Sequence, residues 1–346
     1  MAINGVVHGS NEVQWGISEE STFGTAIADN GSFYRFDGPV PEPDYGVYHH
    51  NEPGNLNSRV LEDTIIDFHS EAGGTRIIPF SDVNIVQVQM ADLLYGVMQN
   101  VSEAASTPWE KTFTWVGEIG TQTTQPDFSA DAGHFMTLGI YDPIASNHRK
   151  FTSCILRDLT LACDLTTDDK RLKASGTFIS GFANDADANF SGTWTNSAAE
   201  YYDFSKPTIK TVGGVDVVLY GFSITLNNNA VRVGNDSSGN AETYAVGVPI
   251  YETTGSLTMK YDANTDGLIA DMIAGTSKAI QLATGTDGAN GNLDFLLDEC
   301  VITNAPKDYG RAEGQAITIE FTVKADYATG AHTTITMSDD TGDRAW

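Results

Sequence analysis

The chain is short of three things: cysteine, basic residues and long apolar runs. Its 346 residues include 3 cysteines, and 19 Lys and Arg face 46 Asp and Glu, for a net charge of −27. Cys154, Cys163 and Cys300 are odd in number and lack the spacing of a disulfide framework, so we expect reduced, structural thiols. The few basic residues exclude a nucleic-acid binder that contacts phosphates and a protein that docks on anionic membranes.

Targeting and spanning segments are also missing from the pattern. No apolar stretch approaches the length of a membrane span. Residues 1–8 show no basic region followed by an apolar run, which a signal peptide would need. We therefore expect synthesis in a cytoplasm and no membrane association.

Motifs that carry chemistry are scarce. Residues 262–267 match the first half of a calcium loop, but Ile273 stands where a bidentate Glu is needed, so ion binding at this turn is left open. His49, His50 and Glu52 have no further ligand at metal-site spacing. No nucleophile elbow, phosphate loop or Cys/His pair is visible. We expect no enzyme activity, no catalytic residues, no cofactor and no metal.

The chain does have β patterning in abundance. Apolar and polar residues alternate over residues 220–226, 256–261 and 316–324, as they do on a strand with one buried face. Glycine is plentiful at 34 residues, and Thr, Asn and Asp recur between the alternating segments. The pattern predicts an all-β fold with many short strands joined by tight turns.

Two segments predict short amphipathic helices, one starting near Asp92 and the other near Asp266, each Asp placed to cap or begin the first turn. Their apolar positions have identical spacing. A matching apolar pattern follows each helix, at residues 155–161 and 296–302. This self-similarity predicts an internal duplication.

The duplication sets the predicted domain organisation. We expect two tandem domains, residues 1–200 and 201–346, each with a short flanking α-helix. The first has an insertion near 101–152, and the second ends in a C-terminal polar tail. Residues 37–58, 101–135 and the tail from about 333 are predicted to be loops.

Residues 12–27 carry a resemblance to a known family. A strand pattern precedes the heptapeptide 20–26, Glu-Ser-Thr-Phe-Gly-Thr-Ala. Tail tube proteins of long, non-contractile-tailed bacteriophages often open with a similar strand and heptapeptide. Further short segments resemble the family at 177–181, 191–194, 222–228 and 255–259. Residues 37–58 and 101–152 match no pattern of the family.

The resemblance implies β-sandwich or β-barrel domains whose copies close into rings, and rings that stack into a tube for genome delivery. It implies a virion tail protein made and assembled in the bacterial host cytoplasm. Its partners would be other copies of itself, a tape-measure protein and tail-end proteins. Acidic residues on the lumen wall would repel duplex DNA and let it slide without specific binding. Glu320, Asp63 and Asp67 are candidate wall residues.

Two equivalent domains in one chain also suggest a stoichiometry. Three chains would supply six sectors, so the ring would be a homotrimer with pseudo-hexameric symmetry. The alternative is six chains per ring, with the second domain projecting outward.

Two other functions stay open. One is another structural protein of the phage tail or baseplate. The other is a β-sandwich carbohydrate-binding module, which would expose a stripe of aromatic side chains. The five tryptophans are scattered and form no visible stripe: Trp15, Trp109, Trp115, Trp194 and Trp346.

Overall fold

The fold is all-β, with 22 strands and two helices in the part of the chain that the structure describes. A computed structural model describes residues 13–44, 47–52, 65–70, 76–104, 109–116, 134–142, 148–167, 170–182, 189–195, 202, 204, 207–234, 243–246, 251–285, 291–310, 314–326 and 330–339. The elements of the first half are β1 (Gln14–Glu19), β2 (Ser32–Arg35), β3 (Val47–Glu52), β4 (Ile65–Ser70), β5 (Arg76–Asn84), α1 (Gln87–Met98), β6 (Val101–Ala104), β7 (Trp109–Val116), β8 (Met136–Tyr141), β9 (Arg149–Asp164), β10 (Lys173–Ser180) and β11 (Thr193–Thr195).

The second half begins at β12 and adds one helix. Its elements are β12 (Ile209–Val212), β13 (Val215–Asp216), β14 (Leu219–Asn227), β15 (Ala230–Val233), β16 (Thr243–Val246), β17 (Glu252–Lys260), α2 (Leu268–Ala274), β18 (Ser277–Thr284), β19 (Leu293–Asn304), β20 (Lys307–Asp308), β21 (Ala316–Lys324) and β22 (Ala331–Asp339). The alternating segments of the sequence coincide with β14, β17 and β21, which confirms those predicted strands.

The two halves repeat one strand order. In the first half, antiparallel pairing runs β2–β1–β8–β9–β10–β5. In the second half it runs β13–β12–β18–β19–β21–β17. α1 follows β5 and packs on β9, and α2 follows β17 and packs on β19. We call the segment from β1 to β10 unit A and the segment from β12 to β21 unit B. The two helices occupy equivalent places in the two units.

The units are joined by sheet pairing and by a common core. β14 pairs with β17 of unit B along one edge and with β9 of unit A along the other. β22 pairs with both β19 and β7. One hydrophobic cluster contains buried side chains of both units, for example Leu159 and Phe295. The division into domains at about residue 200 therefore stays a prediction. The first copy of the repeated strand order ends at β10, and the second begins at β12.

Between its helix and β8, unit A contains two strands, whereas the described part of unit B has none between α2 and β18. These are β6 and β7, which pair with each other next to β22. β8 does have a counterpart, because it holds the place in unit A that β18 holds in unit B. β8 lies within the insertion predicted near 101–152, and the bounds of that insertion stay a prediction.

α2 begins near Asp266 as predicted, whereas α1 begins earlier than predicted. α1 begins at Gln87, five residues before Asp92, and Asp92 is buried inside the helix. The Val86 N–H at its start donates to the Gln89 side chain at 3.3 Å. α2 begins after Gly267, and Asp266 accepts a hydrogen bond from the Tyr261 hydroxyl instead of capping. The predicted Asp caps were wrong, because the apolar pattern locates the middle of a helix and not its first turn.

Three predicted loops contain strands. β3 lies within 37–58, β6 and β7 lie within 101–135, and β22 occupies the first half of the predicted polar tail. Ile335 and Met337 alternate inward along β22 and are fully buried. The intervening polar side chains hid this pattern: Thr333, for example, is buried against Thr253, with 2.8 Å between their hydroxyl oxygens. These loop predictions were wrong at those strands.

A proline-rich segment borders the outer edge of β5 in unit A. Residues 37–44, which we call the strap, contact β5 through two isolated bridges at the strap's ends. The strap lies along β5 where β14 lies along β17 in unit B. Prolines at positions 39, 41 and 43 have no backbone N–H, so a continuous ladder cannot form between the bridges. The strap covers this edge without extending the sheet.

Candidate assembly surfaces

A buried carboxylate ties the start of the chain to the centre of unit A. Glu20 follows β1 and is 7% exposed. Its Oε1 accepts hydrogen bonds from the Thr137 hydroxyl at 2.5 Å and from the Ser153 N–H at 2.8 Å. Its Oε2 accepts a bond from the Ser153 hydroxyl at 2.5 Å. Burial raises the pKa of Glu20, while these hydrogen bonds act in the opposite direction.

The same two partners hold the loop that follows Glu20. The Gly24 N–H donates to the Ser153 hydroxyl oxygen at 2.7 Å, and the Ile27 N–H donates to the Thr137 hydroxyl oxygen at 3.0 Å. Gly24 has a φ of 78°, a conformation that favours glycine. The heptapeptide that resembles the tail tube family is therefore an anchored loop over β8 and β9.

Aromatic side chains close this loop onto the protein. The ring of Phe23 lies 4.7 Å from Phe135, 5.5 Å from Phe182 and 6.1 Å from Tyr244, centroid to centroid. Tyr244 belongs to β16 and donates its hydroxyl to the Ser153 carbonyl at 2.9 Å. Residues of both halves thus hold the loop in one position, which is the geometry of a structural anchor.

A row of hydroxyl side chains crosses the junction between the units. On antiparallel strands, directly paired residues point to the same face of the sheet. Register pairs of this kind connect five residues on five adjacent strands. They are Thr322, Thr254, Thr225, Thr160 and Ser175, which we call the hydroxyl row. The Thr225 and Thr160 hydroxyl oxygens are 2.8 Å apart.

The row next to it carries the candidate wall residue Glu320. Glu320 pairs with Ser256, which pairs with Ser223, then with Ala162 and finally with Lys173. Glu320 is exposed, and its Oε2 accepts a bond from the Asn304 amide at 3.2 Å. Asp63 and the side chain of Asp67 lie outside the described residues. The two rows form one polar face that belongs to both units.

An open groove of about 660 Å³ lies on this polar face. It runs over the β9–β14 junction, and its walls include Asp82, Arg171 and Tyr220 together with serines of neighbouring strands. Hydroxyl groups and charges of both signs line it. Such a surface offers hydrogen bonds without a dominant charge.

The turn at 262–267 is filled by its own hydrogen bonds. Asp262 accepts the Asn264 N–H at 2.9 Å, and its own N–H donates to the Thr265 hydroxyl oxygen at 3.0 Å. Asp266 accepts the Tyr261 hydroxyl. These contacts account for the polar residues of this motif as a turn that leads into α2.

The other candidate metal ligands either do not cluster in the described ranges or lie outside them. In the described ranges, no three His, Cys, Asp or Glu side chains converge as a metal site would require. The side chains of His49, His50 and Glu52 lie outside the described residues. Burial raises the pKa of the Cys154 and Cys300 thiols, which favours their neutral form. None of the helices in the described ranges has the length and apolar character to cross a bilayer.

No family model matches this chain, and no curated protein matches it. The repeated topology, the anchored loop and the polar face are therefore the observations on which a function has to be argued.

Proposed function

We propose that this chain is the structural subunit of a phage tail tube, which assembles into stacked rings that form a conduit for genome delivery. One observation carries the proposal: two units of the same strand order lie in one chain, joined edge to edge through β9 and β14. A repeated unit that pairs laterally with its neighbour is what a closed ring of sectors requires. The resemblance of residues 12–27 to tail tube proteins supports the same assignment.

The internal junction suggests the ring's composition. If each unit forms one sector, three chains supply six sectors in a pseudo-hexameric ring. The β9–β14 junction then serves within a chain, and a different contact serves between chains. The strap explains why the two contacts differ, since prolines stand where unit A would otherwise present a pairing strand.

The polar face is the surface that we assign to the lumen. Its hydroxyl row carries no cation, and Arg171 and Lys173 share the adjacent groove with Asp82 and Asp164, so passing DNA would gain little counterion-release energy there. The chain's overall charge of −27 adds long-range repulsion. Together these properties suit a wall along which duplex DNA slides without specific binding.

The remaining roles follow from the same proposal. Other copies of the chain are the main partners, with a tape-measure protein inside the tube and tail-end proteins at its ends. The chain would be assembled in the bacterial host cytoplasm and reside in the virion tail. We propose no enzyme activity for it. Another structural role in the tail or baseplate is the nearest alternative.

The carbohydrate-binding alternative has a weaker basis. Trp15 and Trp115 are each 1% exposed, so neither contributes to a sugar-binding stripe. Tyr220 in the groove is the feature that favours this alternative.

Negative-stain electron microscopy of the purified, concentrated chain tests the proposal. Rings or tubes are expected. Featureless monomers that bind members of a glycan array would contradict the tube and favour the carbohydrate-binding module.

A further inference from the structure

The two helices are surrounded differently although they occupy equivalent places. α1 is buried on opposite sides, since Leu94 is 0% and Asp92 is 4% exposed. In α2, Ile273 is 79% exposed, the highest value among exposed large hydrophobic residues in the described part of the chain. Ala270 and Ala274 on the same helix are exposed as well. The outer face of α2 is therefore apolar and open to solvent.

The surroundings of α1 show what covers such a face within one chain. α1 packs on β9 of its own unit and also contacts β7 and β22. β22 follows unit B in the sequence and hydrogen-bonds to β19 of unit B. The helix of unit A is thus covered by β7 of its own unit and by β22, the strand that follows unit B. α2 packs on β19 of its own unit.

A neighbouring hairpin enlarges the open apolar surface. The Asn264 amide, in the turn that leads into α2, donates to the Asp216 carbonyl at 2.9 Å, which places β13 beside that turn. Val215 and Val218 at this hairpin are 43% and 46% exposed. We use the name α2 patch for Val215, Val218, Ala270, Ile273 and Ala274.

The charges around the α2 patch are balanced, in contrast to the chain as a whole. Three lysines near α2 each have an aspartate partner within 4.0 Å: Lys260 with Asp262, Lys278 with Asp271, and Lys307 with Asp266. Two copies of a chain with a net charge of −27 repel each other over most of their surfaces. They repel least where the charges cancel, and an apolar centre with a charged rim is typical of an interface.

We infer that the α2 patch is covered by unit A of a second copy of this chain. Within one chain, β22, which is paired with β19 of unit B, helps to cover the helix of unit A. In a head-to-tail ring the units alternate, so the helix of unit B faces unit A of the next copy. The inference rests on the proposed function and adds to it the contact that closes the ring between chains.

A charge placed in the α2 patch tests the inference. Ile273→Asp should leave the melting temperature of the monomer nearly unchanged, because the side chain is already exposed there. It should raise the concentration needed for assembly at least tenfold, measured by sedimentation velocity. Val231→Asp is the matched control: Val231 is 50% exposed on β15, outside the patch, and its replacement should leave assembly unchanged.

A cysteine probe separates failure of this inference from failure of the proposed function. In Ile273→Cys, alkylation should be at least tenfold slower in assembled protein than in monomer; the three native cysteines are buried and give little background. Equal alkylation rates in assembled and free protein, or normal assembly of Ile273→Asp, would overturn the patch while leaving the tube intact. Wild-type protein that stays monomeric at every concentration would overturn both.

Discussion

Ser153 donates both its backbone N–H and its hydroxyl to the carboxylate of Glu20, which lies 133 residues earlier in the chain. Ser153 has a φ of 47°, a left-handed conformation in the middle of β9. This backbone geometry at a non-glycine residue is costly, and a strong set of hydrogen bonds offsets it. The pair joins the motif that resembles the tail tube family to the central strand of unit A.

Removing the Glu20 carboxylate should destabilise the fold. Glu20→Ala leaves the Ser153 and Thr137 donors buried without their acceptor, so we expect a loss of about 2–4 kcal/mol in the free energy of unfolding. Urea denaturation measures it. Glu320→Ala removes an exposed carboxylate and should change stability by less than about 0.5 kcal/mol. Equal effects of the two variants would contradict the anchoring role of Glu20.

Acid should destabilise the protein through His332. Burial lowers the pKa of His332 to about 4, from about 6.5 in the unfolded chain. The folded state therefore binds this proton more weakly than the unfolded chain does. The stability that the neutral imidazole contributes is fully present above pH 6.5 and is lost as the pH falls towards 4. The shift corresponds to about 3 kcal/mol at the acid end. Denaturation curves at pH 7 and pH 4.5 should lie closer together for His332→Gln than for the wild type, whereas an unchanged pH dependence would exclude this residue as a cause.

The last described strand should be essential to the fold. A chain ending at Gly330 lacks β22, which uncovers α1 and removes the buried Ile335 and Met337. Each of these side chains contributes about 2 kcal/mol by burial, so the loss approaches the stability of a typical domain. Circular dichroism and limited proteolysis should report an unfolded or aggregating chain. A chain ending at Asp339 keeps β22 and should fold, and folding of both truncations would refute the role of β22.

Reversing a charge on the polar face should make assembled protein bind DNA. Glu320→Lys places an exposed cation beside the hydroxyl row, so tubes of this variant should retain duplex DNA with a salt-dependent affinity. Glu42→Lys makes the same charge change at an exposed position on the strap and is the matched control. Filter binding at several salt concentrations measures the difference. Identical DNA retention by the two variants would show that the polar face does not line the conduit.

The local pattern of apolar and polar residues was sufficient to predict much of the fold. The alternation from Ile317 to Val323 predicted β21, and Leu93 and Leu268 marked the two helices, because burial of one face leaves a period in the sequence. β22 was missed because Thr333 and Ser338 are buried polar residues, which look like a loop until the pairing strands are known. Whether such a segment forms a strand or a loop depends on its pairing partners in the folded chain, and no local signal in the sequence identifies them.

The candidate surfaces were only partly visible in the sequence. The heptapeptide at 20–26 stood out, but its partner Ser153 is distant in sequence and carries no motif of its own. The hydroxyl row depends on the register of five strands, and the α2 patch depends on what surrounds each helix. These are properties of packing, so the sequence predicted the repeat but not the surfaces that it creates.

Cryo-electron microscopy of the assembled wild-type protein tests the central claim most directly. The account predicts stacked rings of three chains, each chain filling two of six sectors, with the hydroxyl row facing the lumen and the α2 patch buried between chains. Protein that remains monomeric at high concentration would contradict the tube. Rings with true sixfold symmetry and six complete chains would contradict the three-chain arrangement.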